Sequence, residues 1–257
     1  VPTRGMGLHK ARYKGVDLGW SSPVDEIVHP SFIHLGERSG LGWLDGFNEL
    51  MVRCGFEWSG HACADETQQY SLHGRSGNTP ASKVTVTIER EAPHRICIKG
   101  LLKEKTFKFS DFEIWTSLTI TPGQAGFSIA DTLENRSDYD RNYQIIYHTN
   151  FGKPLLEAGS RFVAPLKWIA PFNERAKLGI PTWETYLGPT KGFDEEVFAC
   201  ELHADANGKT IAALINSSGD LGVAMRYVAN DLPAFSLWKN TDTERQGYVT
   251  GLEPGTN

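Results

Sequence analysis

The sequence has few cysteines and lacks the residue blocks that mark zinc ribbons, nucleic-acid binders and membrane proteins. Its four cysteines form no CxxC pair among 257 residues, which argues against a zinc ribbon or a disulfide scaffold. We therefore expect free thiols in a reducing compartment and a cytoplasmic location. The net charge of −5 comes without a lysine- or arginine-rich block, so no nucleic-acid partner is expected. No apolar run approaches the roughly 18 residues that cross a bilayer, so no membrane partner is expected.

A secretory signal, a linker, a low-complexity tract and an internal repeat are also missing from the sequence. We therefore predict one domain over residues 1–257. The chain begins at Val1 without methionine and stops four residues after Glu253, so we expect that its ends are trimmed. His29 and His34 lack the second pair of ligands that a metal site needs, so no metal or other cofactor is expected.

What the sequence has instead is a period-two alternation of apolar and polar residues, the pattern of antiparallel strands with one buried face. Turn residues interrupt these runs, and "TPGQAG" at 121–126 predicts a hairpin turn. The predicted strand runs are 83–90, 94–102, 111–122, 125–135, 197–204, 209–216, 221–228 and 234–240. No convincing amphipathic helix is found, and 165–196 is predicted to be a long loop. The predicted fold is all-β, a large antiparallel β-sandwich or barrel.

Three stretches hold residues that can carry chemistry. The first, "SLHGRSGNTPA", places His73 and Arg75 in a glycine-containing loop. The second, "YHTNFG", brings His148 to the end of an apolar run, and the third, "TGLEPGTN", contains Glu253. None of them resembles a nucleophile elbow, a phosphate loop or a Cys-His pair. Two imidazoles, a guanidinium and a carboxylate among Trp and Tyr suit a hydroxyl-rich ligand that stacks on an aromatic ring.

In their order along the chain, these motifs resemble those of the aldose 1-epimerase, or galactose mutarotase, superfamily. An "LHG" loop precedes the sheet core, a "YH-x-x-F" strand end lies in mid-chain, and a segment containing "LEP" closes the chain. The opening "PTRGMGLHKARYKGVDLGWSSP" resembles a divergent bacterial branch, so the resemblance covers nearly the whole chain. It implies a β-supersandwich with a sugar-binding cleft on one face.

The resemblance also implies roles for individual residues. His148 matches the family's general acid, Glu253 matches its general base, and His73 matches a histidine that helps to bind substrate. The base removes the anomeric hydroxyl proton while the acid protonates the ring oxygen, so the sugar ring opens and recloses on the other carbonyl face. The implied activity is a cofactor-free interconversion of the anomers of an aldose or sugar derivative, and the implied partner is a small-molecule carbohydrate.

Five more residues are candidates for sugar contacts on their chemistry. Arg75 can bind a ring hydroxyl or carboxylate, or pair with a nearby acid. Trp238 can form a stacking face, and the neighbouring Lys239 a hydroxyl contact. Asp45 and Asp242 are candidates for the aspartate with which classical family members bind sugar hydroxyls.

The residues around His148 leave the reaction open. Classical family members have "NH-x-Y-x-N-L" where this sequence has "YHTNFG", and Thr149 and Asn150 are where a changed substrate is expected to show. A second hypothesis is therefore an isomerisation or β-elimination at a neighbouring carbon of a modified sugar. A third hypothesis is a carbohydrate-binding protein without turnover. Both enzymatic hypotheses require His148 and Glu253 to face each other across one cleft, within about one sugar ring.

Overall fold

The structure, a computed structural model, describes residues 1–256 and consists mostly of antiparallel β-strands. In chain order, strands β1 to β17 span Ala11–Tyr13, Val16–Leu18, Met51–Phe56, Cys63–Ala64, Gln69–Tyr70, Lys83–Ile88, Ile96–Lys105, Asp111–Ile120, Phe127–Asn135, Gln144–Phe151, Arg161–Val163, Leu166–Pro171, Glu196–Leu202, Lys209–Ile215, Gly222–Val228, Ala234–Asn240 and Val249–Gly255. Two short α-helices, α1 and α2, span Glu37–Gly40 and Glu174–Gly179. The prediction of an all-β fold is confirmed.

Every predicted strand run coincides with an observed strand, namely β6 to β9 and β13 to β16. The predicted "TPGQAG" turn joins β8 to β9, and the Gln124 N–H donates to the Thr121 carbonyl at 3.1 Å. The four cysteines form no disulfide. Within residues 1–256, no helix has the length and hydropathy that a membrane span requires.

The prediction of a long loop over 165–196 is wrong, because this stretch contains β12 and α2. Helix α2 begins after Asn173, whose side-chain oxygen accepts a hydrogen bond from the Ala176 N–H at 3.0 Å. An asparagine at this position satisfies a backbone donor of the first helical turn. Strand β12 pairs with β13 and ends at Pro171, and a proline at a strand end obscures the alternation that identifies a strand.

The chain folds into two compact units, and each unit is assembled from separate segments of the sequence. The first unit comprises 1–7, 28–46 and 53–144, and the second comprises 8–27, 47–52 and the residues from 145 onwards. The prediction of one domain over the whole chain stays a prediction.

The first unit contains a four-stranded antiparallel sheet in the order β6-β7-β8-β9. A buried arginine holds two of its strands together: Arg53 Nη2 donates to Thr116 Oγ1 of β8 at 2.5 Å and to Asp131 Oδ1 of β9 at 3.0 Å. A buried guanidinium is tolerated because it is paired and hydrogen-bonded. The polar groups of Arg53 and Asp131 therefore form a structural link inside this unit.

The second unit is a sandwich of two antiparallel sheets. In this unit, the strands of the larger sheet have the order β12-β13-β16-β17-β10, and those of the smaller sheet have the order β11-β14-β15. Side chains from both sheets form one hydrophobic core, which includes Phe162, Phe198, Leu214, Leu237 and Leu252. One face of the larger sheet is thus fixed against the core. The opposite face of β10, β16 and β17 carries the candidate site.

Candidate active site

Three neighbouring strands of the second unit, β10, β17 and β16, place His148, Glu253 and Ser236 in one row across the sheet. Ser236 pairs directly with Glu253, and the β10–β17 pairs on either side set Glu253 opposite His148. The His148 Nε2 and Glu253 Oε1 atoms lie 3.2 Å apart, and each side chain is 5% exposed. The two side chains therefore share one sheet face and lie in direct contact, both buried. That they act as acid and base stays a prediction.

The next row on the same face has a glycine at its centre. Gly251 of β17 pairs with Trp238 on one side and with Asn150 on the other. A Cβ atom on Gly251 would lie 2.1 Å from Glu253 Oε1 and 3.2 Å from Trp238 Cε3. The Glu253 side chain therefore lies back over Gly251, in space that any larger residue at this position would fill.

Asn150 determines which nitrogen of the imidazole faces Glu253. Its Nδ2 donates to the carbonyls of Glu49 at 3.0 Å and His148 at 3.3 Å, and carbonyls only accept. The amide is therefore oriented with its Oδ1 towards His148 Nδ1, at 2.7 Å. Because Oδ1 also only accepts, Nδ1 carries a proton, and Nε2 is the nitrogen that points at Glu253.

Aromatic rings surround the imidazole. The rings of Phe47 and Trp238 meet His148 edge-on, with centroids 5.3 and 5.5 Å away. Behind them, the Trp20 ring packs on Phe47 at 4.8 Å, and its Nε1 donates to the Glu49 carbonyl at 3.1 Å. These rings exclude water from the His148–Glu253 contact and lower the local dielectric constant.

Burial shifts the proton affinities of the two groups in opposite directions. It lowers the pKa of His148 to about 4, and the hydrogen bond with Asn150 offsets this only partly. It raises the pKa of Glu253 to about 8, and the negative charge of Glu195 adds to the rise. Between these two pKa values, both groups are uncharged.

Glu195 belongs to the site and was missed in the sequence. It directly precedes β13, and its Oε2 accepts a hydrogen bond from Trp238 Nε1 at 2.8 Å. The sequence feature that could have indicated Glu195 is the adjacent acidic pair Glu195 and Glu196, directly before the predicted strand 197–204. Side chains alternate between the two faces of a strand. Because β13 pairs with β16, one of Glu195 and Glu196 has to point to the face that carries the site. The order of strands in the sheet was not available from the sequence.

Lys239 does not lie with Trp238, because adjacent residues of a strand point to opposite faces of the sheet. Its side chain is on the core face, where its Nζ lies 3.8 Å from Glu196 Oε2. The ammonium group donates to three backbone carbonyls, at 3.3, 3.2 and 2.8 Å, namely those of Thr182, Trp183 and Thr185. The prediction that Lys239 contacts a sugar beside Trp238 is therefore corrected: Lys239 is outside the site.

The two residues that follow His148 also lie on different faces. Thr149 pairs with Leu252 on the core face, and its Oγ1 donates to the Tyr147 carbonyl at 3.2 Å. Of the two positions expected to show a changed substrate, only Asn150 contacts His148.

His73 and Arg75 lie in the first unit. The His73 ring meets Trp43 edge-on at 4.8 Å. Arg75 Nη2 donates to Thr106 Oγ1 at 2.5 Å, and Arg75 Nε lies 3.8 Å from Glu104 Oε1. Pairing with a nearby acid, one of the two interpretations of Arg75, is thus observed. Sugar binding by His73 and Arg75 stays a prediction.

The two candidate aspartates have protein partners. Asp45 accepts a hydrogen bond from Arg38 Nη2 at 3.2 Å in the first unit. Asp242 accepts one from the Gly192 N–H at 3.2 Å in the second. In the described part of the chain, no group of three or more His, Cys, Asp or Glu side chains is arranged to hold a metal ion.

The fold is that of the galactose mutarotase-like β-sandwiches. The structure is similar to a crystal structure of a protein from Klebsiella pneumoniae described as a "putative aldose 1-epimerase", with a TM-score of 0.98, 54% identity and coverage of 100% of this chain and 67% of that one. Over residues 1–257 the sequence matches the family described as "Domain of unknown function (DUF4432)", and the chain belongs to this family.

Two more distant structures share the fold. The Slr1438 protein from Synechocystis has a TM-score of 0.58 at 15% identity, over 100% of this chain and 80% of that one. A galactose mutarotase-like protein from Lactobacillus casei has a TM-score of 0.54 at 12% identity, over 99% of this chain and 83% of that one. No curated protein matches the sequence. The resemblance to the aldose 1-epimerase superfamily is confirmed.

Proposed function

We propose that the chain is a carbohydrate epimerase that interconverts the anomers of an aldose or sugar derivative by general acid/base ring opening. The observation that carries this proposal is the contact of 3.2 Å between His148 and Glu253 on a buried sheet face beside Trp238. The similarity to the Klebsiella protein supports the choice of an isomerase that acts on a sugar.

The geometry suits a reaction at one carbon atom. The anomeric hydroxyl and the ring oxygen are bonded to the same carbon, so two adjacent proton-transfer groups can reach both oxygens of one bound sugar. A positioned general acid or base contributes roughly 10²–10⁴ in rate. The half-buried Trp238 offers its ring to the apolar face of the sugar.

The pair is covered in this structure. His148 and Glu253 are each 5% exposed, and the rings of Phe47 and Trp238 pack against the imidazole. A sugar therefore reaches the pair only when these rings move apart. Their return over the bound sugar would exclude water from the proton transfers.

Polarimetry and exchange NMR with a panel of aldoses and sugar derivatives test the proposal. The wild-type chain is expected to accelerate anomerisation of at least one sugar. His148→Ala and Glu253→Gln are each expected to lower that rate roughly 10²–10⁴-fold. Thr149→Val, on the same strand but the core face, is the matched control and is expected to keep the rate. The absence of acceleration by the wild type, or full activity in both site variants, contradicts the proposal.

A second reaction at the same site is favoured by the hydrogen bond between Asn150 and His148. An uncharged imidazole held in this way is also a base for a carbon-bound proton next to a carbonyl, as an isomerisation or β-elimination requires. NMR of the products separates the reactions, because anomerisation changes only the configuration at the anomeric carbon. Sugar binding that survives His148→Ala, without turnover in the wild type, would identify a non-catalytic carbohydrate-binding protein.

A further inference from the structure

We propose that the face of the larger sheet that carries the candidate site binds a reducing oligosaccharide. The anomeric carbon of this substrate lies at His148 and Glu253, and its further sugar rings lie in a groove that runs across the strands to β12. This inference names the substrate class of the proposed function and rests on that function for the place of the anomeric carbon. The binding of the further rings can be measured without turnover.

A row of small side chains extends the row of the candidate site towards the edge of the sheet. Ser236, which pairs with Glu253, also pairs with Ala199 of β13, and Ala199 pairs with Ala170 of β12. Directly paired residues of neighbouring strands point to the same face, so these three small side chains continue the row of His148 and Glu253. All three are half-buried, so the row is open to solvent and forms the floor of the groove.

Larger side chains stand in the two rows beside this floor. On one side, Trp238 pairs with Val197, and Phe172 directly follows β12 and donates its N–H to the Val197 carbonyl at 2.8 Å. On the other side, Glu201 of β13 pairs with Trp168 of β12. The backbone rows of the two walls are four residues apart, roughly 13 Å, which leaves room for one sugar ring between their side chains.

The packing of β12 shows which of its side chains face the groove. Ile169 packs against the core of the second unit, so its neighbours Trp168 and Ala170 point the other way. Trp168 is 54% exposed and Phe172 is 70% exposed. Two exposed aromatic rings therefore stand on either side of Ala170, at the outer end of the groove.

The chemistry of the outer end suits a sugar ring. Binding sites for small molecules combine an apolar or aromatic surface with a few polar groups that fix the orientation of the ligand. Beside Trp168, Lys167 Nζ donates to Glu201 Oε1 at 2.5 Å, and both of these side chains are half exposed. The ammonium group can donate to a ring hydroxyl and the carboxylate can accept from one, while the Trp168 ring offers a stacking surface.

The spacing of the strands suits successive sugar rings. Neighbouring strands lie about 4.8 Å apart, close to the width of a pyranose ring, and β12 is the third strand from β17. When the first ring lies over β16, the next two rings lie over β13 and β12, and β12 is roughly 14 Å from Glu253. A disaccharide or trisaccharide therefore reaches Trp168, and a monosaccharide at Glu253 does not.

An unpaired atom at the inner end of the groove indicates that a ligand binds there. Among residues 1–256, Glu253 Oε1 is buried and takes part in no hydrogen bond. It lies over Gly251, beside Trp238, where the groove begins. A buried polar atom without a partner is costly, and a sugar hydroxyl at this end of the groove supplies the missing hydrogen bond.

Matched monosaccharides and oligosaccharides test the proposal. Glucose, galactose, mannose and xylose are each compared with disaccharides and trisaccharides that carry them at the reducing end. Isothermal titration calorimetry measures binding, and exchange NMR measures anomerisation. At least one oligosaccharide is expected to exceed its monosaccharide about 10-fold in affinity and in kcat/KM. Equal or weaker binding of every oligosaccharide overturns the proposal.

Variants at the outer end of the groove separate a sugar contact from a structural role. Trp168→Ala is expected to lower the affinity and kcat/KM of the preferred oligosaccharide about 10-fold and to leave the monosaccharide unchanged. Ala170→Leu, which fills the floor, is expected to have the same selective effect and decides the question if Trp168→Ala does not fold. Val163→Ala, at an exposed position of the smaller sheet, is the control and is expected to change neither. Equal losses for both sugars overturn the proposal.

Binding and turnover together distinguish a failure of this inference from a failure of the proposed function. If no sugar is anomerised but an oligosaccharide binds and loses affinity in Trp168→Ala, the proposed function fails and the groove stands. If monosaccharides are anomerised and oligosaccharides are no better, the function stands and the groove fails. Sedimentation velocity tests another occupant. A wild-type dimer that dissociates in Trp168→Ala, without any effect on sugars, assigns the aromatic rings to a protein interface and overturns the proposal.

Discussion

The larger sheet has a buried ionisable pair on each of its two faces, Lys239 with Glu196 on the core face and His148 with Glu253 on the other. The surroundings of the two pairs differ. On the core face, Lys239 reaches Glu196 at 3.8 Å, donates to three backbone carbonyls and lies over the Tyr186 ring at 4.9 Å from its centroid. On the other face, Glu253 faces the imidazole of His148 at 3.2 Å, and the charged neighbour that shifts its pKa is another acid.

The comparison shows that burial alone does not mark a catalytic group. Burial lowers the pKa of Lys239 to about 8, and Glu196 counteracts the shift. Its hydrogen bonds keep the ammonium group in one place, and they attach residues 182–185 to the sheet. His148 and Glu253, in contrast, have pKa values that burial shifts in opposite directions, down for His148 and up for Glu253, so the uncharged form of each is favoured. Perturbed pairs of this second kind are typical of functional sites.

The largest difference is expected when each pair loses one member. Lys239→Met leaves three carbonyls without a donor, while Glu196 keeps Arg175 Nε at 3.5 Å as a charged partner. The free energy of unfolding is therefore expected to fall by about 2–4 kcal/mol. His148→Gln, which removes a neutral ring, is expected to cost less than half as much. Urea denaturation of both variants checks this. Equal losses would mean that the two pairs are both structural.

A smaller difference, opposite in sign, is expected for Glu253→Gln. Glu253 binds its proton more tightly in the folded chain, with a pKa of about 8 against an ordinary 4.5, so its contribution to stability is full below pH 4.5 and is lost as the pH rises towards 8. Glutamine does not titrate. The variant is therefore expected to be more stable than the wild type by roughly 2–4 kcal/mol at pH 8, and by less than about 1 kcal/mol at pH 5.

Urea denaturation at both pH values measures this effect, with Glu195→Gln as the control. Glu195 is half-buried and lies beside the same tryptophan. Its substitution is expected to change the pH dependence much less. A difference between Glu253→Gln and the wild type that does not grow with pH would contradict the uncharged state of the pair.

The smallest effect on stability is expected for Gly251→Ala. The added Cβ falls 2.1 Å from Glu253 Oε1, but that carboxylate is the far end of a flexible side chain and can turn away. We expect a loss of about 1 kcal/mol in stability. We also expect a drop of about 100-fold in anomerisation, because the carboxyl group leaves His148. Polarimetry and urea denaturation together check this, and unchanged activity would show that the contact of Glu253 with His148 is not needed.

Much of the fold was predictable because apolar and polar residues alternate in sequence wherever one face of a strand is more buried than the other. Strand β16 reads "AFSLWKN", and its buried residues alternate with half-buried ones as the period predicts. Strand β12, with an exposed Trp168 and a terminal Pro171, lacks that contrast and was mistaken for a loop.

The site was predictable only where a motif marked a residue. His148 and Glu253 were proposed because their motifs resemble those of a known family. Glu195 depends on which strands are neighbours, a long-range property that no local pattern contains. The position of Lys239 shows the opposite case. Adjacent residues of a strand point to opposite faces, so Lys239 and Trp238 could not both lie in the site, and this was predictable from the sequence.

The lack of a side chain at Gly251 is a feature that can be looked for in the last strand of related sequences. In the tripeptide "GLE", Gly251 has no side chain, and the Glu253 side chain lies in the space that one would fill. Leu252, between them, points into the core. A homologous chain with a bulky residue two positions before the glutamate cannot seat its carboxyl group in this way. The tripeptide therefore offers a criterion for sorting related sequences into those that can bring this carboxyl group to His148 and those that keep the sandwich alone.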